Sequence, residues 1–268
     1  MAAVFVTRFT GWGQTWALLA AAGLPAALST ASRVLIKPNL VADRPPPMTT
    51  PAALVREIVL FVKDCRPGLE ILVGDGCGSL KYDTGQVFER QGYAKMAAET
   101  GVELVDLNPL PLRRLAKPQC RRWPEMFLPE LLFDCFLISV PVLKAHSMAG
   151  VTLTMKNMMG VAPPSHYRQG GHWKKAAFHE DIQRAVFDLN QYRAPDFTVL
   201  DATVGMPEAH LWGPRCEPAK NILAASLDPV AIDAYGAGLL GRDWRDIGHI
   251  ASAHGVLGLA EPLAVSEL

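Results

Sequence analysis

Residues 144–160 read Lys-Ala-His-Ser-Met-Ala-Gly-Val-Thr-Leu-Thr-Met-Lys-Asn-Met-Met-Gly, the stretch richest in groups able to do chemistry. A lysine set among Leu153, Met155, Met158 and Met159 loses hydration on burial, which lowers its pKa. Lys156 could then serve as a base, an imine-forming nucleophile or a covalent attachment point. The competing reading is a helix-surface lysine whose stem lies over a methionine-rich core. Downstream, residues 166–179 supply His166, Arg168, His172 and His179 around Gly170-Gly171, a loop that could close over a ligand. The same stretch also reads as a solvated basic loop. His172 and His179 are seven apart, which is not the i, i+4 spacing of a helical zinc pair.

Three other positions carry candidate chemistry. Glycines at 74, 76 and 78 follow an apolar run but lack the G-x-G-x-x-G spacing, and there is no P-loop, so the nucleotide signal is weak. Asp75 within them suits a metal ligand, a hydroxyl acceptor or a simple turn former. Asp201 directly follows the apolar residues 197–200. Asp228-Pro229 reads as a helix start. Asp233, one turn further into an apolar segment, needs a partner or solvent.

Those residues must be held by something. Short β-rich runs at 4–9, 34–36, 69–73, 102–107, 133–140 and 197–200 alternate with helical patterns at 51–63, 87–100, 180–189 and 228–240. Thr49 or Thr50 is available as N-cap for the helix at 51–63, and Gly101 ends the one at 87–100. The alternation predicts an α/β fold with one or more mostly parallel sheets flanked by helices. In such sheets ligands sit beyond the carboxyl ends of the strands. That places Lys37/Asn39, Asp75, Asp106/Asn108, Lys144/His146 and Asp201 around a shared site. The chain is read as a single domain over 1–268, with 1–112 and 124–268 as conceivable lobes divided by the Pro/Arg-rich connector 109–123 and the site between them.

Composition narrows the function classes. With 26 basic and 26 acidic residues the formal charge is zero, and half the 268 residues are hydrophobic. That excludes a disordered chain and removes any generic case for nucleic-acid binding. The neutrality is a cancellation: residues 113–175 carry ten basic and three acidic side chains, and 176–268 carry six and thirteen. The basic third is the one holding Lys144, His146, Lys156, Arg168 and His172. Five scattered cysteines form no C-x-x-C pair, so neither a disulfide framework nor an intrinsic iron–sulfur cluster is expected, and the default compartment is the reducing cytoplasm. The Ala-rich run at 16–31 is broken by Gly23-Leu24-Pro25, with Arg8 as the sole basic residue ahead of it. It reads as a helix after a strand, not as a signal peptide or a membrane span.

Taken in order, Val34-Leu-Ile-Lys-Pro-Asn39, Gly74-Asp-Gly76, Lys144-Ala-His146, residues 152–160, the Arg168/His172 loop, Asp201 and residues 228–233 resemble the bacterial and archaeal family called domain of unknown function 362. Many of its members carry an added iron–sulfur domain, and this chain lacks that cysteine motif. His146, Ala149-Gly150, Lys156 and His172 are also similar to a pattern in lactate racemase-like enzymes. There the lysine holds a nickel-pincer nucleotide and histidines serve the metal and proton transfer. Thr152-Leu153-Thr154 departs from the Ser-Gly-Gly of those enzymes, so the pincer nucleotide is not carried over to Lys156.

The expected activity is acid–base or redox chemistry at carbon, of oxidoreductase or isomerase/lyase type. The substrate is a small or medium metabolite bearing a carboxylate, enol or carbonyl group. His146, Lys156, His172 and Lys144 are the expected catalytic residues. Lys37, Asn39, Asp75, Thr152, Asn157 and Arg168 are expected to bind the anionic substrate. His146, His172, His179 and Asp201 would be the ligands if a divalent iron, manganese, nickel or zinc assists. No nucleic-acid or membrane partner is expected, and a homo-oligomer is compatible with the composition. The alternative is a non-catalytic anion- or cofactor-binding accessory protein.

Overall fold

The strand Arg33–Pro38 shows how the sheet is organised. Leu35 packs into one apolar cluster with Leu72 and Leu137, while Val34 and Ile36 join Ile71, Val73, Ile138 and Val140 on the opposite side. Successive side chains of a strand point to opposite faces, so a run apolar at every position requires cover on both. The computed structural model, which describes residues 1–209 and 211–268, supplies that cover with helices on both faces.

The strands are β1 (Ala2–Arg8), β2 (Arg33–Pro38), β3 (Glu70–Asp75), β4 (Glu103–Asp106), β5 (Leu112–Ala116), β6 (Glu125–Pro129), β7 (Phe136–Val140), β8 (Val142–His146), β9 (Gly150–Thr152), β10 (Phe197–Met206), β11 (Ile222–Ser226) and β12 (Leu263–Glu267). One sheet runs β12-β1-β11-β10-β7-β2-β3-β4, with β8 and β9 joined to it through β10. Neighbours from β4 to β10 are parallel, and β11 is antiparallel to both β10 and β1. The fold is α/β with a mixed, mostly parallel sheet. Among the described residues no helix is long and apolar enough to cross a membrane.

Three local expectations are corrected. The connector does not divide the chain into lobes: β2 lies between β3 and β7, so one sheet takes strands from both halves, and the connector supplies β5 and the turn that leads to its partner β6. The helix expected at 87–100 is two helices, Thr84–Arg90 and Tyr93–Thr100, separated by Gly92 with φ of 79°. That left-handed conformation suits glycine, which lacks a Cβ. Finally, Pro51 itself precedes the helix Ala52–Cys65, because Thr50 Oγ1 donates to the Val140 carbonyl and Thr49 Oγ1 to that of Arg44.

Candidate functional site

β2, β3 and β8 end beside one another, and their last residues form the floor of a cavity of about 230 Å3. Lys37 is fully buried there. Its ammonium meets Asp75 Oδ1 at 2.8 Å, the Pro38 carbonyl at 3.0 Å and Asn157 Oδ1 at 3.1 Å. Asp75 also accepts from the Gly76 and Leu40 backbone N–H groups. The flanking glycines are close-approach residues. A Cβ at Gly76 would stand 2.5 Å from Asn108 Oδ1 and 2.8 Å from Lys175 Nζ, and one at Gly160 would stand 2.5 Å from Lys37 Nζ. The packing of the lysines therefore accounts for Gly76 without invoking a bound phosphate.

Two asparagines tie the floor together. Lys144 Nζ donates to Asn39 Oδ1 (2.7 Å) and the Met48 carbonyl (2.6 Å). Asn39 Nδ2 donates to Asn157 Oδ1, which also accepts from Lys37, and Asn157 Nδ2 donates to Ser139 Oγ. Every amide dipole is thus fixed by a charged or buried partner, which makes the floor rigid. Lys156 and Asn157 ride on the short helix Thr154–Asn157. Its first N–H groups are capped from another element: Asp233 accepts from Thr154 N at 2.7 Å and Met155 N at 3.0 Å. This supplies the partner that buried Asp233 requires.

The electrostatics are lopsided. Lys37, Lys144, Lys156 and Lys175 all line the cavity and are buried, and Asp75 is the only carboxylate among the described lining residues. Lys175 Nζ donates to the Gly160 carbonyl at 2.6 Å and to Asn108 Oδ1 at 3.0 Å. Lys156 makes no hydrogen bond or ion pair among the described residues. Burial pushes Lys156 down to about 8 and, against the pull of Asp75, Lys175 down to about 7. Lys144 is held well below the ordinary lysine range by burial and then by the Lys156 charge, and burial lowers Lys37 in spite of Asp75. His146 Nδ1 accepts from the Met148 and Ala149 N–H groups, which leaves Nε2 to carry the proton in the neutral ring. The half-buried His179 ring lies 6.3 Å from that of His146, and burial followed by Lys156 lowers its pKa. Thr152 Oγ1 is buried at the cavity wall without a hydrogen-bond partner.

Residues 34–238 match the family model described as domain of unknown function (DUF362). The chain belongs to the DUF362 family. No curated protein matches this DUF362 chain. The solved structure of the lactate racemase apoprotein from Thermoanaerobacterium thermosaccharolyticum is similar at a TM-score of 0.48 and 9% identity, over 73% of this chain and 50% of that one. The DUF362 chain therefore spans about half the length of that racemase.

Of the residues expected at the site of this DUF362 protein, Lys37, Asn39, Asp75, Lys144, His146, Thr152, Lys156, Asn157 and His179 line one cavity. Three do not. Asp201 lies within β10, which continues to Met206, and its carboxylate accepts from Thr203 N and Oγ1 away from the cavity. His172 is exposed on the 168–174 segment and outside the cavity lining. Arg168 is exposed and lines a separate surface hollow with Lys174 and Asp106.

The proposed ligand set His146, His172, His179 and Asp201 is therefore not assembled. Among the described residues no group of three or more His, Cys, Asp or Glu is placed to hold a metal ion. His172, the histidine that follows Lys156 in the racemase-like pattern, is outside the cavity lining. The described His, Cys, Asp and Glu side chains of the cavity are thus not arranged as a protein-ligated metal site. Lys175 belongs to the floor but escapes a reading of the sequence as a basic loop. The apolar Ala176-Ala177-Phe178 directly after it was the available sign of burial.

Proposed function

We propose that this DUF362 protein is an enzyme that moves a proton at a carbon next to a carboxylate or carbonyl group of a small anionic metabolite. The observation that carries this reading is the floor of four buried lysines around a single carboxylate. Ammonium groups held in a poorly hydrated cavity with one counter-charge attract an anion, and they stabilise the enolate that forms when a proton leaves the adjacent carbon. Lys144, which has one N–H left after Asn39 and Met48, would hold an anionic oxygen, while Lys37, its three N–H groups committed to Asp75, Pro38 and Asn157, would contribute its charge alone.

Lys156 is suited to the proton. With a pKa near 8, roughly one in ten of its side chains is neutral at pH 7 and able to accept a proton from carbon. His146, its Nδ1 fixed by two backbone donors, is the second proton-carrying group, and Thr152 Oγ1 is a free hydroxyl for a substrate oxygen.

The test is deuterium exchange. Small 2-hydroxy, 2-oxo and arylacetic acids are incubated with the protein in deuterium oxide, and the signal of the carbon-bound hydrogen is followed by proton NMR. Exchange in the wild type that is lost in both Lys156→Met and His146→Ala is expected. Binding across the panel with no exchange would contradict the enzyme reading and leave an anion-binding accessory protein.

A further inference from the structure

The cavity changes character between floor and mouth. Its charged residues are the buried ones, whereas Trp212 is 66% exposed and Met148 52% exposed at its rim, with Trp173 half-buried beside them. This inverts the usual arrangement, in which charge faces water and large apolar groups are withdrawn. An exposed apolar rim next to a polar cavity marks surface that a ligand removes from water. The two indoles come from separate segments, Trp173 from 168–175 and Trp212 from the stretch after β10, and both line the cavity. Indole faces prefer flat π-systems at offset or edge-on contact. The small volume, about 230 Å3, limits the body of the ligand.

We propose that the ligand is a carboxylate that carries a flat aromatic or conjugated group of one or two rings. Its acid group lies on the lysine floor and its ring against Trp173 and Trp212, with Met148 along an edge. This rests on the anion-holding reading above and adds the shape and polarity of the remainder of the molecule. A sugar acid or a short aliphatic acid would leave the indoles exposed and gain nothing from them.

The experiment compares acids of equal charge, acetate, cyclohexanecarboxylate, benzoate and 2-naphthoate, by titration calorimetry and tryptophan fluorescence. Burying the fused rings should favour 2-naphthoate over acetate by about 100-fold. Benzoate should bind more tightly than cyclohexanecarboxylate, which has similar bulk but is not flat. Trp173→Ala and Trp212→Ala should each shrink the naphthoate-to-acetate preference by about 2- to 12-fold, and Lys144→Met should weaken both acids. Equal affinity for acetate and 2-naphthoate, or a preference unchanged in both tryptophan variants, would overturn this inference while leaving the anion reading intact. No binding of any of the four acids at millimolar concentration would overturn the anion reading and this inference with it.

Discussion

Asp75→Asn removes one charge and almost no volume, and it isolates the contribution of the one counter-ion to the lysine floor. Lys37 Nζ and Asp75 Oδ1 are 2.8 Å apart, with side chains 0% and 4% exposed. Breaking a buried pair on one side leaves an uncompensated charge and costs about 3–5 kcal/mol. Asparagine also sets an N–H2 donor against either the Leu40 N–H or the Lys37 and Gly76 donors, which the carboxylate satisfied together. The loss is capped because Lys37, already lowered by burial, can shed its proton. We expect urea unfolding at pH 7, followed by circular dichroism, to give a destabilisation of about 3–5 kcal/mol. At an m-value of about 3 kcal/mol/M that is a midpoint shift of about 1–1.7 M. Lys37→Met/Asp75→Asn should recover at least about 2 kcal/mol relative to the sum of the two single changes, since neither charge is then orphaned. A loss under about 1 kcal/mol for Asp75→Asn, or simple additivity in the double variant, would refute the pairing as the floor's support.

Binding of a carboxylate should weaken as pH rises from 7 to 9, because the anion prefers protonated Lys175 and Lys156, which titrate near 7 and 8. The expected slope is about tenfold per pH unit for each proton lost, measured by calorimetry at several pH values, and a flat profile would contradict it. Asp233→Ala should destabilise by about 1–3 kcal/mol by orphaning the Thr154 and Met155 N–H groups, read as a shift in urea midpoint. Burial raises Asp233 to about 7. With its folded pKa above the unfolded value, its protonation favours folding below about pH 4 and that contribution disappears as pH rises through 7. Asp233→Asn should therefore gain stability relative to wild type between pH 5 and 8, and an unchanged difference would exclude the raised pKa.

Much of the floor was legible because a parallel sheet concentrates strand ends. Lys37, Asn39 and Asp75 lie at or just past the ends of apolar runs that read as strands, whereas Lys144 and His146, expected at the end of the run 133–140, stand on a separate strand, β8. Where the run and the strand differ, the reading failed: β10 extends six residues beyond Leu200 by pairing with β11 and β8, so Asp201 is interior to a strand. Thr203-Val204-Gly205 gives no sign of that, since the pairing is long-range. Lys175 was hidden because its acceptors, Asn108 and the Gly160 carbonyl, are 67 and 15 residues away. The charge cancellation between the basic and acidic thirds is partly a contact. Arg122 pairs with Glu180, and the Arg122 and Trp123 N–H groups donate to Asp188. That draws the connector's basic charge away from the site and leaves the buried lysines as the site's own.

The most direct measurement is a pH titration of the protein labelled with carbon-13 at the lysine ε-carbons, with and without benzoate, with assignments from Lys156→Met and Lys175→Met. Two resonances with midpoints near 8 and 7, both moved upward when benzoate is added, are predicted for ammonium groups awaiting an anion. If instead every lysine titrates near its ordinary value of 10.5 and benzoate moves none of them, the anion-holding floor is contradicted.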